Sequence, residues 1–354
     1  MGEKTIVIDV GSGFLKAGWS SHNEPQIIHP TIVSYKSGQG PGPSGALIQL
    51  HLGINEESPD YFSHPVQRGR IQNWEAMELF WTRVLEKLLE QEDTRVLLAE
   101  RLEELAERQK TMEIMFERLR SESIMLVDEL QLSLFSQCLL NGVVIDCGFG
   151  LTRVQSFIQG LPVRQSRQVV SWGDWDMASY LIRELFSEGC SESNAAKLEK
   201  VSIIQRQACY VPKNIQQLAA TSEDPHGNST FQLPDGSLVT LGPLHRMAPE
   251  MYFSPGFYSL PIPSLPRAVL DSVQSCREDL QVQLASHMLV CGGASLYRGF
   301  TERLNEMLVL NHFSSTVPWA CGSSYRNFSV WLGGSVLAHL STYGYMWITE
   351  STRM

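Results

Sequence analysis

The chain has 354 residues and carries 28 Lys and Arg against 38 Asp and Glu, a formal charge of −10. That length suits about two domains, and the sign is wrong for gripping nucleic-acid phosphates or anionic lipid by bulk attraction. With 43% hydrophobic and 19% charged residues it has the make-up of a globular protein, neither disordered nor fibrous. No apolar run approaches the roughly 18 residues of a membrane span, and the opening MGEKTIVID has no apolar stretch of the secretory kind, so a cytoplasmic or nuclear setting is expected.

In chain order, Val7-Ile8-Asp9-Val10-Gly11-Ser12-Gly13-Phe14-Leu15-Lys16 is an apolar, β-branched run, a glycine turn and a second run, the pattern of a hairpin. The Gly/Pro-rich Gly38–Gly45 stretch cannot form regular structure and reads as an exposed loop. Asn73 is a natural N-cap, and Trp74, Met77, Trp81, Val84, Leu85 and Leu88 follow at helical spacing. Leu105, Met112, Phe116 and Leu119 predict another helix within a charged stretch whose charges form its solvated face. A third helix is expected from Glu129 to Leu140. Val144 to Arg153 then repeats the first hairpin, Pro261 to Pro266 reads as a second exposed loop, and Cys291-Gly292-Gly293 is a glycine turn between the apolar run Met288–Val290 and a helix from about Thr301. The seven cysteines are odd in number and well separated, and the nine histidines form no HxxH or HxxxH, which argues for free buried thiols and against metal held by nitrogen or sulfur.

The repeated hairpin is the most informative feature. Asp9-Val10-Gly11-Ser12-Gly13 and Asp146-Cys147-Gly148-Phe149-Gly150 share the DxGxG pattern in matching strand contexts. Glycine there permits positive φ and lets backbone amides approach an anion with no Cβ in the way. One such turn is weak evidence. Two predict related lobes that each contribute a hairpin to a shared phosphate clamp.

These residues resemble the actin and actin-related family along nearly the whole chain. The resemblance runs in order through IDVGSGFLKAG, Gln72-Asn73-Trp74-Glu75, VVIDCGFGLTRV, Leu233-Pro234-Asp235-Gly236, Val290-Cys291-Gly292-Gly293 with Tyr297, and Ser329-Val330-Trp331-Leu332-Gly333-Gly334-Ser335 with Leu340-Ser341-Thr342 and Met346-Trp347. GSGFLKAG, GLTRVQ and NFSVWLG are most similar to divergent, testis-type members. The resemblance implies an α/β, two-lobed ATPase fold of the duplicated ribonuclease H-like kind, with four subdomains. Residues 1–137 would form the first lobe, with 34–65 as its small outer part, 138–325 the second, and 326–354 would return to the first. It also implies ATP or ADP with Mg²⁺ as cofactor, and a cytoplasmic, cytoskeletal setting with partners such as actin, other actin-like proteins or profilin-type proteins.

Carried over position by position, the resemblance assigns Asp9, Gly11, Ser12, Gly13 and Lys16 to the first phosphate clamp, and Asp146, Gly148 and Gly150 to the second. Gly292, Gly293 and Tyr297 would form the adenosine wall, and Asp9 and Asp146 would face the metal through water. Phe135, Leu337, Leu340, Thr342 and Met346 match the groove where actin partners insert helices, with plain core packing as the competing reading. The departures fall on the chemistry. Glu129 stands where the family has a water-orienting glutamine, Arg153 where it has a histidine, and Phe149 where it has a second acid; Gln205 and Arg206 replace a lysine and a glutamate beside the base and ribose. A carboxylate about 4 Å from a phosphate oxygen is repelled by roughly 4 kcal/mol at an effective dielectric of about 20, so Glu129 needs a neutraliser, and Arg153 is the expected one. The Gly38–Gly45 loop, which in actin enters the next subunit, offers few apolar anchors, and the chain ends soon after Trp347, so self-polymerisation is not expected. The favoured reading is a scaffold with little or no ATP hydrolysis; the alternative is a nucleotide-switched member that polymerises or co-assembles with actin.

Overall fold

A computed structural model describes residues 4–35, 49–50, 61–88, 94–101, 105–187, 192, 194–213, 230–310 and 318–352. The chain divides into two units, residues 1–140 with 328–354, and residues 141–327. The Gly38–Gly45 loop lies outside the described residues.

In the first unit, the apolar run Thr5–Val10 and the run Phe14–Trp19 form the expected antiparallel hairpin, in a register that sets Asp9 opposite Lys16. Thr5–Val10 continues as a parallel pair with Arg95–Glu100, and that strand as a parallel pair with Ser123–Asp128. Ile27–Pro30 and Ile348–Thr349 complete a six-stranded sheet as its two edges. Because side chains alternate along a strand, the central strands feed two cores. Ile6, Ile8, Val96, Leu98, Ile124 and Leu126 meet the helix Trp74–Leu88 through Met77, Phe80, Trp81, Val84 and Leu85. On the opposite face, Val7, Leu97, Met125 and Val127 meet Leu132, Phe135, Trp331 and Leu337. Asn73 caps the Trp74–Leu88 helix as expected, its side chain accepting from the Ala76 amide at 3.0 Å.

The second core depends on the Trp-Leu-Gly-Gly-Ser stretch. Trp331 is fully buried, and its ring Nε1 donates to the Val7 carbonyl at 3.2 Å. Gly333 and Gly334 face inward on the helix Ser329–Ala338; a Cβ on Gly333 would overlap the Leu132 carbonyl, and one on Gly334 would come within 2.6 Å of Val7 Cγ1. The missing side chains are what let this helix reach the helix Glu129–Phe135 and the sheet.

The second unit repeats the plan. Gly142–Cys147 and Thr152–Ile158 form a hairpin with Asp146 opposite Arg153, and Gly142–Cys147 pairs in parallel with Met288–Cys291. The sheet runs Leu161–Pro162, Thr152–Ile158, Gly142–Cys147, Met288–Cys291, Ala320–Cys321, with Gln168–Val170 also on Thr152–Ile158. Its core gathers Val143, Ile145, Val154, Val290, Phe253 and Phe300, among others, with residues of the helices Asp174–Leu185, Leu265–Gln274 and Phe300–Leu310.

Several local expectations are corrected. The helix at Glu129 ends at Phe135, and Cys138 is left-handed with φ 55°, so it stops well short of Leu140. Leu105 is 78% exposed at the start of the helix Leu105–Glu113, whose apolar anchors come later, where a wider turn over Ile114–Arg118 buries Ile114, Met115 and Phe116. Only the first part of Pro261–Pro266 is loop: Leu265 and Pro266 are buried and open the helix Leu265–Gln274, because proline in a first helical turn forfeits no hydrogen bond and Ser264 supplies the cap. Of the described cysteines none is bridged, and Cys138 and Cys321 are exposed rather than buried.

Replacing Gly333 by Ala should destabilise the protein by about 3 kcal/mol, since the clash is with backbone that cannot swing away. Denaturant unfolding of the variant against the parent measures this; equal midpoints would show that the two helices separate at little cost.

Candidate functional site

Each hairpin turn is closed in the same way. In the first, the Gly11 amide donates to the Phe14 carbonyl at 3.1 Å, while Thr31 holds the loop from outside by donating its amide to the Gly13 carbonyl and its hydroxyl to the Gly11 carbonyl. Ser12 Oγ accepts from the Gly69 amide at 2.9 Å. In the second, the Gly148 amide donates to the Leu151 carbonyl at 3.0 Å, and the amides of Asp174 and Trp175, at the start of the helix Asp174–Leu185, donate to the carbonyls of Gly148 and Phe149. Side chains at Gly11 and Gly148 would press on the Phe14 and Leu151 carbonyls at 3.3 and 3.1 Å. The carbonyls are thus committed to protein partners, and the turns stay slim enough for a large anion to approach the backbone.

Behind each turn stands a cross-strand ion pair. Lys16 Nζ donates to Asp9 Oδ2 at 2.8 Å, and Arg153 Nη2 to Asp146 Oδ2 at 2.6 Å, with all four side chains largely buried. The sequence reading paired Arg153 with Glu129, a residue of the other unit, and did not name Asp146 as a partner. The signal was present: aspartate and cation are separated by the same interval in both hairpins, and a tight turn makes such positions face each other. Glu129 has a counter-charge inside its own unit, Arg101, whose Nε lies 3.6 Å from its carboxylate. Arg101 also donates to the Arg68 carbonyl at 2.6 Å and covers Gly69, where any side chain would overlap the guanidinium. Arg101 was missed altogether. Its strand and that of Asp128 end in register, Glu100 beside Asp128, so residues 101 and 129 leave adjacent strand ends, a proximity no local spacing reveals.

In the second unit Gly292, with φ +87°, lets the chain bend beside the hairpin; a Cβ there would overlap the Cys147 carbonyl and lie 2.7 Å from Asp146 Oδ1. Asp146, Gly148, Gly150 and Gly292 are therefore gathered at neighbouring strand ends. Gly293 has open space where a side chain would stand. Tyr297 is only 7% exposed, and its hydroxyl donates to Asp174 Oδ1 at 2.7 Å. Burial pushes the Asp174 carboxyl up to about 7, against the opposing pull of the Tyr297 hydrogen bond. Gln205 is buried and donates to the Asp174 carbonyl at 3.1 Å, while Arg206 is exposed. Phe149 packs edge-on against Trp175, ring centroids 5.8 Å apart.

The five residues assigned to a partner groove separate. Phe135 and Leu337 are core, 5% and 1% exposed. Leu340 is 44% exposed, Thr342 is exposed and Met346 is half-buried. Tyr343 packs on Phe135 and stacks on Tyr345, which is 81% exposed.

The glycine turns with Lys16 and Arg153 suit a phosphate. Asp9 and Asp146 each already carry a cation at hydrogen-bond distance, Phe149 offers no oxygen, and among the described residues no three His, Cys, Asp or Glu side chains converge. No helix among the described residues is long and apolar enough to cross a membrane.

Comparison with known proteins agrees with the motif reading. The family model described as Actin matches residues 2–352. Human "Actin-like protein 8" is 47% identical over 357 residues, covering 99% of this chain and 98% of that protein. "Centractin" of Schizosaccharomyces pombe is 30% identical over 356 residues, 98% of this chain and 93% of that one.

Two outcomes test the geometry of the second hairpin. Arg153→Ala leaves Asp146 buried beside no counter-charge from across the strand and should cost about 3–5 kcal/mol in urea unfolding, with Arg153→Lys recovering part of it. Asp174 binds its proton more tightly folded than unfolded, so its stabilising share is complete below about pH 4 and fades as pH rises through about 7. Asp174→Asn keeps an acceptor for Tyr297 and should gain on the parent between pH 5 and 8; melting curves that stay parallel across that range would refute the raised carboxyl.

Proposed function

Because the chain belongs to the actin family, we propose that it is an actin-like cytoskeletal scaffold that binds a nucleotide on its glycine turns, hydrolyses it slowly or not at all, and works through protein contacts. The observation that carries this is the buried Arg153–Asp146 pair. In the resemblance drawn from sequence, position 153 holds a histidine and position 129 a glutamine, which together place the attacking water. A permanently charged guanidinium bound to Asp146 cannot take up a proton from water, and Glu129, 3.6 Å from Arg101, lacks the amide N–H donors a glutamine would offer a water. Loss of positioned proton transfer costs roughly 10²- to 10⁴-fold in rate. Lys16, Asp9 and both turns are kept, which supports binding without turnover.

The same retained clamp favours a second reading, a nucleotide-switched member that co-assembles with actin. Partners on either reading are cytoskeletal, met at Leu340, Thr342 and Tyr345 on the outer side of the C-terminal segment, and the setting is the cytoplasm and its cytoskeleton. No nucleic-acid or membrane partner is proposed, given the net charge of −10.

Phosphate release from purified protein given ATP tests the leading reading. The expected rate is at least about 10²-fold below that of conventional actin measured alongside, rising in an E129Q/R153H double variant. A parent rate equal to actin's overturns it, and ATP-dependent co-sedimentation with actin filaments would establish the second reading.

A further inference from the structure

We propose that Asn305 is an edge guard: its carboxamide takes the place of a neighbouring strand on the second unit's sheet and keeps a second copy of this chain from adding a strand there. The guard is independent of nucleotide binding. Among the described residues the sheet ends at Ala320–Cys321, which pairs in parallel with Met288–Cys291, Met288 opposite Ala320 and Leu289 opposite Cys321. Alternate residues of a strand turn their backbone groups to opposite sides. Trp319 turns its carbonyl inward, accepting from the Met288 amide at 3.3 Å, and its amide donates to the Ala285 carbonyl at 3.1 Å. Ala320 therefore points both its groups outward, where a further strand would bond them. Asn305, on the helix Phe300–Leu310, takes both: its Oδ1 accepts from the Ala320 amide at 2.7 Å and its Nδ2 donates to the Ala320 carbonyl at 2.8 Å. A carboxamide holds a donor and an acceptor in one plane, so this pair reproduces the two-bond exchange of an antiparallel strand without offering a next edge.

The surroundings make an open edge here adhesive. Trp319 is exposed, as are Val309 and Leu310 in the last turn of the helix that carries Asn305, and Val282 in the helix Glu278–Ala285, whose end bonds Trp319. An unpaired strand flanked by exposed apolar side chains is a template for pairing between chains, and proteins blunt such edges with charge or proline. Trp319-Ala320-Cys321-Gly322 has neither. The Asn305 carboxamide does that work instead. A second copy is the occupant it excludes, because two identical edges can meet antiparallel about a two-fold axis, Ala320 against Ala320, each supplying the two bonds that Asn305 now supplies.

The test combines hydrogen exchange at the Ala320 amide with sedimentation velocity over a concentration series, on the full chain as parent, as Asn305→Ala and as the double variant Asn305→Ala/Ala320→Pro. In the parent the Ala320 amide should be protected although it lies at an edge. In Asn305→Ala it should exchange about tenfold faster at the lowest concentration, and self-association should tighten at least about tenfold. Ala320→Pro removes the outward N–H without touching the bond between Met288 and Trp319, so the double variant should return to the parent's association. An unprotected Ala320 amide in the parent overturns the proposal without reference to any variant. So does an Asn305→Ala chain that exchanges or associates as the parent does, or a double variant that stays associated. If Asn305→Ala does not fold, the isosteric Asn305→Asp, which can accept from the Ala320 amide but cannot donate to its carbonyl, carries the same association comparison. Each of these outcomes leaves the nucleotide reading where it stands.

Discussion

The register of a two-strand turn sets the buried charge pair at the heart of each unit. In each unit a strand ends in aspartate, turns on glycines and returns with a cation set directly across from that aspartate. The pairing is local and electrostatic, and it lies beneath backbone whose carbonyls are already engaged. Lys16 and Arg153 therefore occupy equivalent places, but they are not equivalent groups. An ammonium is a compact point charge on a flexible stem; a guanidinium is a rigid fork that holds a carboxylate in one orientation. The first hairpin keeps the adaptable version, and the second has the rigid one.

Rigidity in the second unit extends beyond that pair. Gly292 brings the end of one strand against the Asp146 carboxylate, Tyr297 is tied to Asp174, and Gln205 bonds the same residue's backbone. Buried polar groups joined in this way specify one arrangement of the surrounding core, since each would be costly to leave unmet. Such ties fix one arrangement of the second hairpin and its neighbours.

Much of this architecture could be read from residue order. The hairpins announced themselves through β-branched runs around DxGxG, the Trp74–Leu88 helix through its cap and spacing, and the second core of the first unit through Trp331 and its flanking glycines. What escaped reading involved partners brought together by tertiary register. Arg101 reaches Glu129 because two parallel strands end side by side, and parallel strands join residues with no fixed separation along the chain. The Arg153–Asp146 pair went unnamed for another reason: charge neutralisation was argued from a presumed ligand, without asking which carboxylate sat across the turn. The early end of the helix at Phe135 and the helical start at Leu265 turned on backbone detail, a left-handed Cys138 and a serine cap, that apolar spacing does not encode. The groove residues divided because Phe135 and Leu337 lie in helices packed on the sheet, whereas Leu340, Thr342 and Met346 follow the end of the helix Ser329–Ala338.

The helix Ser329–Ala338 has a bearing on the order of synthesis. Trp331 fills a cavity floored by Val7 and Leu97, so the first unit closes its core with residues translated after the whole of the second. Residues 141–327 are contiguous, whereas one face of the N-terminal sheet has only Leu132 and Phe135 to cover it until the helix Ser329–Ala338 is made. During that interval Val7, Leu97, Met125 and Val127 form a sticky surface. A nascent chain of this design carries an incompletely covered apolar face until its last helix arrives.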